Sequence, residues 1–156
     1  MISGYVNAYK AINDEVFMNE AINAGEFIYS NLVKRDGGLF HNYVNGQSKI
    51  NGYLEDYAMV IQASLDLYEI TLNQLWIERA LKLSEYVINN FSSSESELFY
   101  FTSKKDEDLI SRSVEFRDNV IPSSNSIMAK NLFRLYHYFD KEEYYERSKN
   151  MSLSVT

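Results

Sequence analysis

The sequence predicts an all-α chain of antiparallel αα-hairpins. Three observations predict it: an apolar stripe at helical spacing, recurrence of that stripe along the chain, and short polar joints between helices. The stripe Phe17, Ala21, Ala24, Ile28, Leu32 is spaced 4, 3, 4 and 4, which keeps one face of an α-helix apolar. It recurs at Trp76, Ala80, Leu83, Val87, Phe91 and begins again at Tyr144, Ser148, Met151, Val155. The first two copies are offset by 59 residues, and Tyr9 matches Tyr68, Phe27 matches Tyr86, Asn31 matches Asn90, and Leu39-Phe40 matches Leu98-Phe99. The third copy is offset by 68, as in Tyr68 to Tyr136 and Trp76 to Tyr144, so nine extra residues lie between Phe101 and Ser123. Agreement at this many positions marks an internal repeat.

Each unit holds two helices, one ending near the repeated Tyr and one carrying the stripe. The joints Asn13-Asp14, Thr71-Leu72-Asn73 and Asp140-Lys141 are short and polar, which folds neighbouring helices antiparallel. The hairpins run over about 1–32, 54–91 and 124–156 of a single domain fragment, 1–156, with long loops at 33–53 and 92–123. The stretch from Leu54 to Thr71 is apolar on most sides and predicts an inner helix; the striped helices, with one apolar face, form an outer layer. Both long loops leave an outer helix and enter an inner one, so both emerge at the same end of the layer. The first carries Asp36-Gly37-Gly38 and then Leu39-Phe40-His41-Asn42-Tyr43, a tight turn followed by a short extended segment. A pocket is expected at that end.

Composition narrows the function classes. The chain has 156 residues, room for one real core, and carries a net charge of −7. That charge disfavours a nucleic-acid role, which needs clustered Lys and Arg; Lys104-Lys105 runs straight into Asp106-Glu107-Asp108. Thirteen Tyr and nine Phe suit core packing and also sugar-binding clefts. With no Cys there is no disulfide, thiolate metal site or redox motif in these residues. No apolar run is long enough to span a bilayer, and no signal peptide is recognisable, so no membrane partner and a cytoplasmic location are expected.

Three segments carry a resemblance. Gly52-Tyr53-Leu54-Glu55-Asp56-Tyr57-Ala58 with Leu67-Tyr68-Glu69, then Phe99-Tyr100-Phe101-Thr102-Ser103, then the run from Asp118 through Pro122 to Ser126 resemble, in order, stretches of a family of thioredoxin-domain-containing proteins that includes the spermatogenesis-associated homologue of animals. Ser124 and Asn119 stand where that family has glycine. The resemblance covers essentially the whole chain. It implies about three hairpins of an (α/α)6 toroid, the architecture of six-hairpin glycosidases and N-acylglucosamine 2-epimerases. It also implies a thioredoxin-like domain in the parent chain as a partner. Hairpins at the ends of such a piece would expose apolar faces, so self-association through the toroid edges is expected.

The candidate chemistry follows. Glu55 and Asp56 open an inner helix, where carboxylates suit the helix dipole and where one can act as acid, base or sugar-hydroxyl ligand. Asp118, at the position matching the family's Asp, supplies a second carboxylate at the same end, the minimum for glycoside chemistry; a turn-forming Asp-Asn pair explains it equally well. Tyr57 is a candidate sugar-stacking ring and also ordinary inner-helix packing. His41, in the first long loop, is a candidate to face the expected pocket, Arg117 is a candidate anion partner, and Asn125, in the capping run Pro122-Ser123-Ser124-Asn125, is a candidate ligand group. The two His, His41 and His137, lack a second His at ligand spacing, so no metal and no cofactor are expected. The function readings are a sugar-binding or carbohydrate-active toroid of glycosidase or epimerase type, and a non-enzymatic scaffold that docks a thioredoxin-like domain or another protein.

Overall fold

A computed structural model describes residues 1–106, 112–115, 117 and 121–154. Six helices make three antiparallel hairpins: α1 (Ile2–Ile12) with α2 (Glu15–Asn31), α3 (Leu54–Thr71) with α4 (Gln74–Phe91), and α5 (Ser124–Phe139) with α6 (Glu142–Leu153). A small antiparallel sheet, β1 (Phe40–Val44) with β2 (Gln47–Asn51), lies in the first long loop.

The three inter-helix turns are one device used three times. Asn13, Leu72 and Asp140 close α1, α3 and α5 in the left-handed conformation, each with φ between 52° and 53°. Their backbone N–H groups donate to the carbonyls of Tyr9, Tyr68 and Tyr136, the repeated tyrosines. Asn and Asp tolerate this conformation; a branched apolar Leu does not. Leu72 is also 74% exposed, so its side chain contributes little packing. Leu72→Gly should therefore raise the unfolding free energy by roughly 0.5–1 kcal/mol, after allowance for glycine's extra freedom in the unfolded chain. Urea denaturation reads it as a higher midpoint at unchanged slope. The next residue starts the outer helix: Asp14 and Asn73 accept the N–H of Val16 and Leu75, whereas Lys141 makes no such cap.

The inner layer is α1, α3 and α5, with α3 packed against both of the others; α2, α4 and α6 each back their own partner. The core divides at α3. One cluster joins the second and third hairpins through Ile61, Leu65, Leu83, Val87, Met128, Leu132 and Leu135. A smaller one, Ile2, Val6, Ala21, Ala63, Leu67 and Trp76, joins the first hairpin to the second. At that junction Gly25 leaves no room for a side chain: a Cβ would sit 2.7 Å from Trp76 Cη2 and 2.8 Å from Leu67 Cδ1. Polar links follow the α3–α5 seam. Buried Asn131 donates to the carbonyl of Ala58, and nearer the surface Arg134 pairs with Asp66 and Glu69.

The loops depart from the sequence reading in two ways. The extended segment after Gly38 is a full hairpin, turned by Asn45 and Gly46, both at positive φ; Asn-Gly is the residue pair such a turn prefers. The loop equivalence also slips by one. Phe40 N–H reaches back to Leu32 in the first loop, and Tyr100 N–H reaches back to Phe91 in the second. Leu39 thus corresponds to Phe99 and Phe40 to Tyr100, because the second turn is one residue longer.

A candidate carboxylate–imidazole site at the head of α3

The site is built where β1 leaves the first loop and passes the start of α3. Asp56 is the third residue of that helix. Its Oδ2 accepts the N–H of Tyr53 at 2.8 Å, which closes the first turn, and also takes His41 Nδ1 at 2.9 Å. The His41 ring meets Tyr53 edge-on at 5.1 Å, and Tyr53 stacks on Phe101 of the second loop at 5.0 Å with 12° between planes. The N–H of Leu54 donates to the Phe101 carbonyl. Both long loops are thereby tied to the head of one inner helix.

Beside this pair, Glu55 lies in a half-buried position. Burial, then the neighbouring charges of Asp56 and Glu115, push its carboxyl above the usual carboxylate range. The hydrogen bond and charge of Asp56 hold the His41 imidazole above its ordinary value of 6.5. A raised folded-state pKa means that the protonated imidazole stabilises the fold below the unfolded-state pKa, and this contribution is lost as pH rises through the folded-state pKa. His41→Gln should therefore cost more stability near about pH 5.5 than near about pH 8.5, as measured by urea denaturation at both. An equal loss at both values would mean that the His41–Asp56 contact carries no charge.

Glu55, Asp56 and His41 open onto a pocket of about 290 Å³ whose other wall is Ile28, Leu32, Leu39, Phe40, Met59 and Val60. Ile28, Met59 and Val60 also border an apolar hollow of about 480 Å³ that reaches Ala24 and Phe27. The arrangement sets one carboxyl, Glu55, whose pKa is raised by burial, next to a carboxylate–imidazole pair, against an apolar wall. Such a set can donate a proton, accept one, and bind hydroxyl groups. Among the described residues no group of three or more His, Asp or Glu is arranged to hold a metal ion.

Two of the expected site residues are corrected. Tyr57 is buried, stacked on Tyr86 at 5.4 Å, and its hydroxyl accepts the N–H of Leu39 at 2.8 Å, so no ligand can stack on it. Asn125 is buried too: its Oδ1 accepts the N–H of Phe99, and its Nδ2 donates to the carbonyls of Phe99 and Glu115. Both are loop anchors. They stand 68 residues apart, the repeat offset, and hold the equivalent loop residues Leu39 and Phe99. Arg117 is exposed in the second loop. Asp118 and Asn119 lie outside the described residues. Ser124 opens α5 and donates its hydroxyl and N–H to Glu115 Oε2. Glu115, which influences Glu55 and holds the head of α5, was missed from the sequence; an acidic residue in a polar loop carries no periodic signal.

No family model matches the chain. It is 31% identical over 156 residues to an uncharacterized protein of Caenorhabditis elegans, covering 94% of this chain and 21% of that protein. It is 31% identical over 147 residues to spermatogenesis-associated protein 20 of Rattus norvegicus (87% of this chain, 18% of that one). With the Homo sapiens protein of that name it shares 28% over 158 residues (94% and 20%). The chain thus spans about a fifth of the length of these relatives. Among solved structures it is similar to cellobiose 2-epimerase from Bacillus thermoamylovorans, with TM-score 0.77, 17% identity, and 96% of this chain and 40% of that one covered. It is also similar to a D-mannose isomerase (0.74, 16%, 96% and 37%). A third match is an inactive α-1,6-mannanase variant of Salegentibacter sp., with two consecutive aspartates replaced by asparagine and α-1,6-mannotriose bound (0.75, 18%, 99% and 44%). At these identities the likeness is one of fold: the chain is about three hairpins of an α/α toroid.

Proposed function

We propose that this chain is the site-bearing part of a carbohydrate-binding or carbohydrate-active α/α-toroid domain, with Glu55, Asp56 and His41 at its ligand-contacting end. The observation that carries the reading is the consecutive pair Glu55-Asp56 at the head of an inner helix, open to a pocket together with His41. In the mannanase variant above, two consecutive acidic residues are the positions changed in an inactive protein; the fold-level likeness makes this an analogy. In this reading Glu55 is the proton donor, and Asp56 with His41 forms the partner that accepts a proton or a hydroxyl hydrogen bond. Asp118 stays a candidate second carboxylate from the loop before α5, and Arg117 a candidate anion contact. The parent protein would carry a thioredoxin-like domain and act in the cytoplasm.

The test is a thermal-shift screen of hexoses, disaccharides, amino sugars and sugar phosphates on this chain, with Glu55→Gln and Asp56→Asn alongside. Asn at 56 keeps an acceptor for the Tyr53 N–H, so the helix head is preserved. One sugar class should raise the melting temperature of the wild type and leave Glu55→Gln unchanged. No shift with any class sinks the proposal. The scaffold reading has its own support, because Asp56 is needed as a cap and Tyr57 and Asn125 are structural. A thioredoxin-like domain from the parent protein that binds the chain equally before and after Glu55→Gln would favour it.

A further inference from the structure

The seam between the outer helices α2 and α4 and the next one, between α4 and α6, carry matching residues and close differently. Outer helices lean on their own inner partners, so side chains fill the space between two of them. In the first seam, Arg79 of α4 lies over the Tyr29 and Trp76 rings at 4.3 and 4.7 Å and grips Glu26 of α2 through two hydrogen bonds of 2.7 and 3.0 Å. The repeat offsets carry Glu26, Tyr29, Trp76 and Arg79 onto Glu85, Ile88, Tyr144 and Arg147 of the second seam. There Arg147 turns away: its guanidinium lies on the Phe99 ring at 4.0 Å, and its Nε donates to the carbonyl of Glu97.

Glu85 is thereby left without the guanidinium that its counterpart holds. Lys141 reaches it at 3.0 Å, a part-exposed pair of the kind that contributes little. A groove of about 580 Å³ remains, internal to the outer layer and walled by two adjacent hairpins. Its lining holds four glutamates, Glu85, Glu97, Glu143 and Glu146, against one arginine, Arg147, which favours a cation. Tyr144 in its wall is 1% exposed, and the hydroxyl makes no hydrogen bond among the described residues. A buried hydroxyl in that state costs free energy, which an N–H donor entering the groove would offset.

We propose that the α4–α6 groove is a docking site for an arginine side chain on a basic segment of a partner protein, seated on Glu85 as Arg79 is seated on Glu26. The planar guanidinium presents paired N–H donors to the Glu85 carboxylate and a further N–H to the Tyr144 hydroxyl. It displaces the Lys141 ammonium, which pairs with Glu85 and sits over the Tyr144 ring at 5.2 Å. A lysine brings the same charge without the fork, so it satisfies fewer of these groups. The groove shares no residue with the pocket of Glu55, Asp56 and His41, and the site stands whether or not that pocket takes a sugar.

Amide NMR of the isotope-labelled chain, titrated with the blocked peptide acetyl-Gly-Arg-Gly-amide and with its lysine counterpart, tests it. The arginine peptide should shift the amides of α4 and α6 around the groove saturably, and the lysine peptide should bind at least about fivefold more weakly. Glu85→Gln should weaken the arginine peptide by at least about fivefold. Lys141→Gln should tighten it about two- to fivefold, because the competing ammonium is gone. Tyr144→Phe should weaken binding while leaving the urea midpoint of the free chain unchanged or higher, since the hydroxyl it removes has no partner there. Absence of saturable shifts at the groove overturns the proposal, and so does equal binding of the two peptides, which would show a general attraction for cations. A dissociation constant indifferent to Glu85→Gln, or a midpoint lowered by Tyr144→Phe, overturns it as well.

Discussion

Trp76→Ala should lower the unfolding free energy by about 3–5 kcal/mol and the melting temperature by roughly 6–20 °C. Trp76 is fully buried at the apolar seam between the first hairpin and the second: it sits under Gly25, beside Ala63 and Leu67, with Tyr29 edge-on at 6.0 Å. Its outer side is covered by the Arg79 guanidinium, which lies 4.7 Å from the Trp76 ring and 4.3 Å from that of Tyr29 while paired with Glu26. Removing the indole opens a void that Gly25 cannot fill and unseats Arg79 together with it. The loss should also be local. Amide exchange in α1 and α2 should speed up well before that in α5, because the larger cluster around Ile61, Leu65 and Met128 does not include Trp76. Uniform acceleration along the chain would show instead that the two clusters melt as one unit.

The second large effect is expected at Asn125. Asn125→Leu leaves the N–H and C=O of Phe99 and the C=O of Glu115 without their partner. Each buried backbone group orphaned in this way costs about 1–3 kcal/mol, and some recover water, so a total loss of roughly 3–5 kcal/mol is expected. Tyr57→Phe is the matched comparison. It removes one acceptor, from Leu39 N–H, and should cost about 1–3 kcal/mol. Equal losses in the two variants would mean that the Asn125 amide bonds are not all formed in solution. Urea denaturation of both variants at one pH decides this, and the slope should be unchanged.

Helix boundaries and hairpin order were legible in the sequence because they rest on local, periodic signals. The stripe from Trp76 to Phe91 marks α4, and the joints at Asn13, Leu72 and Asp140 mark the reversals. The site was legible only in part. Glu55 and Asp56 stand out because they start a helix, but the contact of Asp56 with His41 depends on β1 folding back across fifteen residues. The Asn45-Gly46 pair is the local signal for that fold. Tyr57 and Asn125 have two readings in the sequence for a related reason. Their identities, an aromatic and an amide, suggest ligand chemistry, and only their burial shows that they serve the backbone. Even their equivalence was hidden, since a one-residue difference in loop length shifts Leu39 to Phe99 and not to Leu98.

That placement of the loop anchors has an evolutionary reach. Each long loop is held at one backbone position by a side chain that belongs to the following inner helix, Tyr57 for Leu39 and Asn125 for Phe99. A phenol and a carboxamide do the same work, so the anchoring tolerates chemical drift provided that an acceptor reaches the same N–H. The hairpin beyond the anchor, from Phe40 to Asn51, meets the helices through individual side chains, His41 on Asp56, Tyr43 on Phe27 and Ser48 on the Asn31 carbonyl, so its composition can change at the cost of those contacts alone. A lineage built on this plan can diversify what its pockets recognise by rewriting loops alone, while the ring beneath them is inherited nearly unchanged.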